Sequence, residues 1–451
     1  MANLLEAYKN RLSISESVHQ KTHNGAKMSS QKKLMIASVL NNTSRFMNEA
    51  FNDSAATQRS ALGEYKKFCL NVSTVALPNL ILPELMLTQP MTSLSGYVTY
   101  LKYTLGNGTV VADPYKFGEM TPERVTYTAD RVVEKIEEGV AKVVWGPVDV
   151  TAGFKFLNDK NEEIAGGTLN ADGTFTAPEG ATKIAYVYDN VTIPAQSGLP
   201  TLKAQLDSID LHAHARRIAV YYSQIAAFQA KTDYGMDLAD QLSTQAQGEL
   251  AYEIDTEGVL MLYKGAEHNT ELEFPSYEKS IEATATGSFI SRSQYYEQFS
   301  EIVARAKKII YQRTQKFAPN YMVVGANVLT VLPYAKGWTA APASTVNGPY
   351  FAGTLDSMKV YCSPSIPENK FFFGVNGSDL QTSAAVYAPY MAIVPTQLLG
   401  FADGAMSQGF STMYDMKLLS TYNREGEKAV DSAEGKYSHL LVAGEFQVPT
   451  V

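Results

Sequence analysis

Three carboxylates, Glu249, Glu253 and Glu257, fall at i, i+4 and i+8 in a segment of helical periodicity. That spacing stacks them on one helix face, where carboxylates can hold a cation or divide acid and base roles. No histidine accompanies them, so a solvated or interface-facing ridge is the better account. His212-Ala213-His214, if extended, places two imidazoles on one side of a strand, a pairing that can bind metal. No cysteine is near, and Arg216 and Arg217 follow directly. Glu16-x-x-His19 has the spacing of carboxylate-bridged metal helices, but it occurs once, in a polar region that reads as a solvated tail. Ser407 sits in Gly404-Ala405-Met406-Ser407-Gln408-Gly409, one residue too long on its left for a nucleophile elbow. There is no phosphate-binding glycine loop and no His-Glu-x-x-His, and Lys and Arg are scattered rather than striped. No catalytic, cofactor-binding or metal-binding residue is assigned on these patterns, and the chain does not read as an enzyme.

The strongest element signal surrounds the carboxylate ridge. From Ala215 to Gly265 the pattern is strand, short helix, a Tyr234-Gly235-Met236-Asp237 break, and a long amphipathic helix. Ala239, Leu242, Ala246, Leu250 and Ile254 trace its apolar stripe, with Asp237 as N-cap and Asp240 in the first turn. Gly248 and Gly258 weaken it, and either Gly258 or Gly265 ends it. A second helix is predicted over 292–316, with Tyr296, Phe299, Ile302, Val303, Ala306, Ile309 and Ile310 facing inward.

Residues 1–70 read as an N-terminal arm with one amphipathic helix near 30–50, carrying Met35, Ile36, Val39, Leu40, Phe46, Met47 and Phe51. The flanking SSQKK and NDSAATQRS read as links. Pro78, Pro83 and Pro90 break the next stretch, and a strand runs from Gly96 to Leu105 into a Gly106-Asn107-Gly108 turn. Over 125–193 the texture becomes short β runs, AKVVWGPV, GFKFLN, TFTA and KIAYVY, with hairpin signals at Asp159-Lys160-Asn161 and Ala171-Asp172-Gly173. They predict a small β-rich insertion. Residues 196–217 read as a linking segment, and the chain from 321 onward alternates short strands with a helix before a strand-rich end.

Bulk properties narrow the class. Of 451 residues, 45% are hydrophobic and 19% charged, enough for a sizeable core. The net charge of -8 argues against a reader of nucleic acid, though not against a shell around it. Two distant cysteines, Cys69 and Cys362, fit a reducing compartment. The first residues lack a signal-peptide pattern, and no apolar run is long enough to span a bilayer. The 27 tyrosines suit either large interfaces or packing at sheet edges.

Several local patterns then line up in order. Pro78-Asn79-Leu80-Ile81, Gln89-Pro90-Met91 and the strand from Gly96 come first. Arg217 to Glu257, with its Tyr234-Gly235-Met236-Asp237 break and Leu250-x-x-Glu253-Ile254, comes next. Asn320 to Leu332, Phe351-Ala352-Gly353-Thr354-Leu355, Lys359-Val360-Tyr361, Phe372-x-Gly374 and Tyr387-Ala388-Pro389-Tyr390-Met391-Ala392 complete the series. Jointly they resemble the major capsid proteins of large contractile-tailed phages, both T-even-like and those of Gram-positive hosts, across most of 77–420. The arm, the β-rich region and the tail beyond Asn423 depart from that pattern.

The resemblance implies an α+β chain of the Hong Kong 97-type capsid fold. Mapped here, residues 71–96 open a peripheral domain and 97–217 form an extended loop carrying the insertion. Residues 218–320 form the peripheral domain with its long spine helix. Residues 321–395 form the axial domain, and 396–451 return through the peripheral domain. It implies a subunit that assembles with itself into hexamers and pentamers around double-stranded DNA, in the virion and, during assembly, the host cytoplasm. It implies scaffold, portal and head protease as further partners, and neither cofactor nor membrane. A nanocompartment shell of the same fold is the nearest alternative reading, and a glycan- or host-binding β module a more distant one.

Overall fold

Residues Leu238–Gly265 form one uninterrupted helix of 28 residues. The computed structural model describes residues 2–22, 27–52, 70, 74, 77–105, 110–112, 131–136, 141–143, 148–158, 162–187, 202–278, 280, 291–314, 317–342, 348–396, 399–401, 404–419, 421–422 and 437–447. The chain is α+β and divides into two compact units, Met1–Tyr100 with Ser208–Val451, and Leu101–Asp207.

In the larger unit the break before the long helix is Gly235, whose φ of 65° ends the helix Gln224–Tyr234 in a left-handed turn. Ala246, Leu250 and Ile254 are buried as the stripe requires, and the burial continues through Val259 and Leu262. Gly258 does not end the helix; it admits a neighbour. A Cβ there would lie 2.3 Å from Leu82 Cδ2, so Leu82 packs directly on helix backbone. At Gly248 a Cβ would meet nothing within 4 Å.

The long helix lies between two sheets. The larger has seven strands in the order Glu267–Pro275, Leu441–Gln447, Lys370–Gly374, Tyr321–Val324, Met358–Cys362, Tyr350–Leu355 and Trp338–Ala340. Its centre is apolar on both faces, as a doubly covered sheet demands. Phe371 meets Phe299 of the helix Phe299–Thr314, while Phe372 meets Tyr263 of the long helix. The predicted helix over 292–316 is in fact two, Arg292–Glu297 and Phe299–Thr314, jointed at Gln298. The other sheet follows Leu87–Thr88, Ala385–Pro395, Ala405–Leu418 and His214–Ser223, with Leu399–Gly400 also on Ala405–Leu418.

The N-terminal segment, expected as an arm, is packed in. Helices Lys9–Thr22 and Ser30–Asn52 put Leu12, Met35, Ile36, Val39 and Leu40 into the main core. Asn42 Nδ2 donates to Met91 O (2.6 Å) and Tyr390 O (3.1 Å), fixing the second helix on the strand Ala385–Pro395. SSQKK is the start of that helix rather than a link, because Lys32 finds buried acceptors. Most of NDSAATQRS lies outside the described residues, as do Cys69 and the Gly106-Asn107-Gly108 turn.

The expected link at 196–217 is also structured. The chain leaves the larger unit along the strand Ser95–Leu105 and returns along Leu202–His212. In the smaller unit Arg131–Lys135, Lys183–Val187, Lys155–Leu157 and Glu163–Ile164 form a four-stranded sheet, and Thr168–Leu169 pairs with Phe175–Thr176. Its core is Val143, Val148, Phe156, Leu169, Phe175, Ile184 and Tyr186. The Ala171-Asp172-Gly173 turn forms, with Gly173 at φ 85° and Asp172 Oδ1 accepting from Thr174 N at 3.0 Å. Asp159-Lys160-Asn161 lies outside the described residues, although Asn158 N meets Glu162 O across it at 3.0 Å. The described part of AKVVWGPV forms no named strand, but Lys142 bridges Thr174, and the amides of Val143 and Val148 donate to Gly173 O (2.9 Å) and Ala171 O (3.3 Å).

The two helical glycines should behave oppositely. Gly258→Ala is expected to lower stability by about 1–3 kcal/mol through overpacking against Leu82. Gly248→Ala should leave stability unchanged or raise it by up to about 1 kcal/mol, as propensity alone dictates. Urea unfolding of the purified protein checks both, and equal effects at the two sites would refute the packing account.

Candidate functional site

Among the described residues the strand His214–Ser223 is the edge of its sheet, and it turns directly into the helix Gln224–Tyr234. Its inner side chains Ile218 and Val220 pack toward Leu250 and Phe410. The helix buries none of its residues. Ile225 is 72% exposed, Phe228 71% and Tyr234 75%, with Tyr221 and Met236 also exposed. Gln224 N donates to Gly404 O at 3.0 Å, so this helix starts beside the exposed Leu399 and Phe401. Ser407 pairs with Tyr221 on one side and Leu399 on the other. Large apolar side chains thus gather, exposed, at one end of the sheet among the described residues. Exposed apolar patches of this kind mark interaction surfaces. Against the same sheet, Phe46 of the helix Ser30–Asn52 joins Met391, Met413 and Phe410 in lining a groove of about 420 Å³.

The carboxylate ridge does not converge. Glu249 and Glu253 are exposed. Glu257 pairs with Arg216 and accepts from Tyr414 Oη at 2.6 Å, and the Arg216 guanidinium lies 5.9 Å from the Tyr414 ring centre. Burial, then the Glu257 carboxylate, pushes the Tyr414 phenol up. With its partners nearly half exposed, the Arg216–Glu257 pair is worth at most about 1 kcal/mol. It fixes how the long helix sits on the edge strand more than it stabilises it.

The buried charge lies elsewhere, around residues 78–85. Asp255 on the long helix accepts from Ile81 N (3.1 Å to Oδ1) and Leu82 N (3.2 Å). Lys32 Nζ donates to Leu80 O at 2.9 Å. His19 Nδ1 lies 3.2 Å from Pro78 O and 3.4 Å from Lys32 Nζ. Glu84 Oε2 accepts from Lys359 Nζ (2.9 Å) and Tyr361 Oη (2.5 Å), and Asn376 Nδ2 donates to Glu84 O (2.9 Å). Burial moves these groups. It raises Asp255 to about 7, against the two amide N–H bonds and Lys32. It lowers Lys32 to about 8, against Glu84 and Asp255 acting through space. Burial alone would raise Glu84, but Lys32, Lys359 and Tyr361 outweigh it and bring it to about 2. Burial and then Lys32 lower His19.

The family model of the major capsid protein Gp23 matches residues 62–442. The chain belongs to the Gp23 major capsid protein family. Solved structures similar to this capsid protein include the capsid of Myoviridae phage XM1, at 10% identity and TM-score 0.39, covering 81% of this chain and 91% of that one. A chain from Mycobacterium phage Che8 is similar at 14% identity and TM-score 0.34, covering 69% and 94%. The SrpI encapsulin of Synechococcus elongatus is similar at 13% and 0.32, covering 55% and 81%. These loose likenesses add nothing to the family match. A comparison with curated proteins finds no match.

In this capsid protein the side chains singled out for chemistry in the sequence are not brought together among the described residues. His212 and His214 are exposed, and His212 Nδ1 meets Ser95 Oγ at 3.2 Å. Ser407 is buried inside the sheet. His19, expected in a solvated tail, is 2% exposed. Glu16 pairs with Lys33 at 2.8 Å instead of joining His19. Lys32 and Asp255 were missed, although a signal existed. Lys32 stands three, four and seven residues before Met35, Ile36 and Val39, on the apolar stripe, and Asp255 stands four before the buried Val259.

Asp255 gives this junction a pH signature. Its folded value near 7 exceeds the ordinary 3.8, so the folded state keeps a proton that the unfolded chain releases between them. That contribution to stability is full below about pH 4 and is lost as pH rises through about 7. Asp255→Asn cannot titrate and keeps one oxygen acceptor for Ile81 or Leu82. Urea unfolding from pH 4 to 7 should therefore show wild type losing stability relative to the variant by up to a few kcal/mol. A pH-independent difference would contradict the burial of a titrating carboxylate.

Proposed function

We propose that this chain is the repeating wall subunit of an icosahedral phage head, closing into hexamers and pentamers around packaged double-stranded DNA. The observation that carries this reading is the uncovered apolar end of the edge strand and the helix Gln224–Tyr234, in a chain of a capsid family. Burying one side chain such as Ile225 or Phe228 is worth about 1.5–3 kcal/mol. A few at each interface give weak individual bonds, which many simultaneous contacts turn into a stable lattice while errors still anneal. Contacts of this heterologous kind close into rings, and slightly different closures of one surface give curvature.

On the Hong Kong 97-type reading, 97–217 is the loop that reaches over a neighbour, 218–320 the peripheral domain and 321–395 the axial domain. The β-rich insertion, which has its own core, stands on the outer surface or bridges capsomers. Scaffold, portal and head protease act on this subunit during assembly in the host cytoplasm, and it performs no chemistry itself. The N-terminal segment contacts scaffold and is a substrate for that protease; mature subunit starting at Met1 or Ala2 by mass spectrometry would speak against the cut.

Electron microscopy with light scattering of the purified chain is the direct test. Rings, tubes, sheets or closed shells are expected. Phe228→Asp and Ile225→Asp should each raise the concentration needed for assembly at least about tenfold, with the subunit's circular dichroism unchanged. Normal assembly by both variants would remove this surface from the proposal. Deleting 145–192 should leave capsomers but lower particle stability, whereas particles of wild-type stability would count against bridging.

A further inference from the structure

The junction around residues 78–85 borders a cavity of about 430 Å³, lined in part by His19, Lys27, Lys32, Glu84, Tyr321 and Lys359. Lys32 is the anomaly. It is 2% exposed, and a buried ammonium is ordinarily matched by a carboxylate within contact distance. Among the described residues no carboxylate reaches ion-pair distance of its Nζ, which has only Leu80 O as a firm acceptor. His19 Nδ1 serves poorly as a second one, because its 3.2 Å approach to Pro78 O is that of a donor.

The nearby acids are already engaged. Both oxygens of Asp255 accept from Ile81 N, and Oδ1 also from Leu82 N. Glu84 is held by Lys359 and Tyr361. Lys27 lines the same cavity and adds a second ammonium, and Lys359 retains N–H donors beyond the one given to Glu84. Among the described residues three lysines and one glutamate therefore line this space, and the buried lysine lacks a direct counter-charge.

We propose that this cavity binds a small tetrahedral oxyanion, of the phosphate or sulfate class, held by Lys32 and Lys27 with help from Lys359. A tetrahedral oxyanion presents several acceptor oxygens to ammonium groups arriving from different directions, and the volume accommodates one with room for water or a small substituent. Bound there, it would tie the N-terminal helices, through Lys32, to the seven-stranded sheet, through Lys359.

Isothermal titration of the purified full chain with sodium sulfate and with sodium phosphate, at constant ionic strength set by chloride, tests this. Saturable binding of one anion per chain is expected for both. Lys27→Ala, at an exposed position, should weaken it about three- to tenfold, and Lys32→Met more than tenfold. Sulfate keeps its charge between pH 7 and 9.5, so its affinity should fall over that range as Lys32 loses its proton. His19, Glu84, Asp255, Lys359 and Tyr361 also face Lys32 or its cavity, and the Lys32→Met variant separates their titration from that of Lys32. Heats indistinguishable from chloride, or binding unchanged in both variants, would overturn the proposal. A site filled only by an acidic side chain of a second copy would show as no sulfate or phosphate binding and also overturns it. Assembly of the wild type is read separately by electron microscopy, so failure here leaves the wall-subunit reading untouched.

Discussion

The turn at residues 77–85 is held by one buried carboxylate, Asp255, which takes both amide hydrogens that open its short helix. Leu82 then rests on the bare backbone of Gly258, one helical turn away on the same long helix. From this anchor the other parts of the larger unit take their positions. The N-terminal helices reach it through Lys32 and His19, and Ser15 Oγ donates to Thr74 O just before it. The seven-stranded sheet reaches it through Lys359, Tyr361 and Asn376. The five-stranded sheet begins at its exit, where Leu87 and Thr88 pair in parallel with Val386 and Tyr387. Losing the Asp255 bonds would leave two buried amides unsatisfied, at about 1–3 kcal/mol each, at the point where four elements meet.

What could be read in the sequence was local. The strand, helix, Gly235 break and long helix are each set by neighbouring residues, by period and by a glycine with positive φ. The same holds for the Asp172-Gly173 turn and for the inward face of Phe299–Thr314. What escaped depends on residues far apart in sequence. Leu202–His212 read as a link because its alternation is weak, and Leu206 is indeed 67% exposed. His19 read as part of a solvated tail and Lys32 as part of a link because their acceptors, Pro78 O and Leu80 O, stand 48 or more residues away. Gly258 read as a helix weakness because only the fold reveals Leu82 above it. The family resemblance rested on order and spacing along the chain, which survive without knowledge of any such contact.

Two kinds of polar chemistry are kept apart in this molecule. Pairs at the surface, such as Arg305–Glu301 and Arg216–Glu257, are exposed enough for water and salt to weaken them. The groups around 78–85 are shielded, and burial displaces Asp255 and Lys32 toward neutrality. A shell protein benefits from that division. Its weak outer pairs can be screened by salt at little cost in stability, while the protonation of its junction answers to pH.

The helix Gln224–Tyr234 has 11 residues and buries none of them. Helices shorter than about 12–15 residues are marginal in water on their own. Its order in the isolated chain therefore leans on the strand before it and the Gly235 turn after it. If this helix is the assembly surface proposed above, a first encounter between two copies would have to complete its ordering while covering only part of it, and later arrivals would meet it already ordered. Growth would then be slow to start and fast to continue, with a lag phase that favours a few finished particles over many fragments.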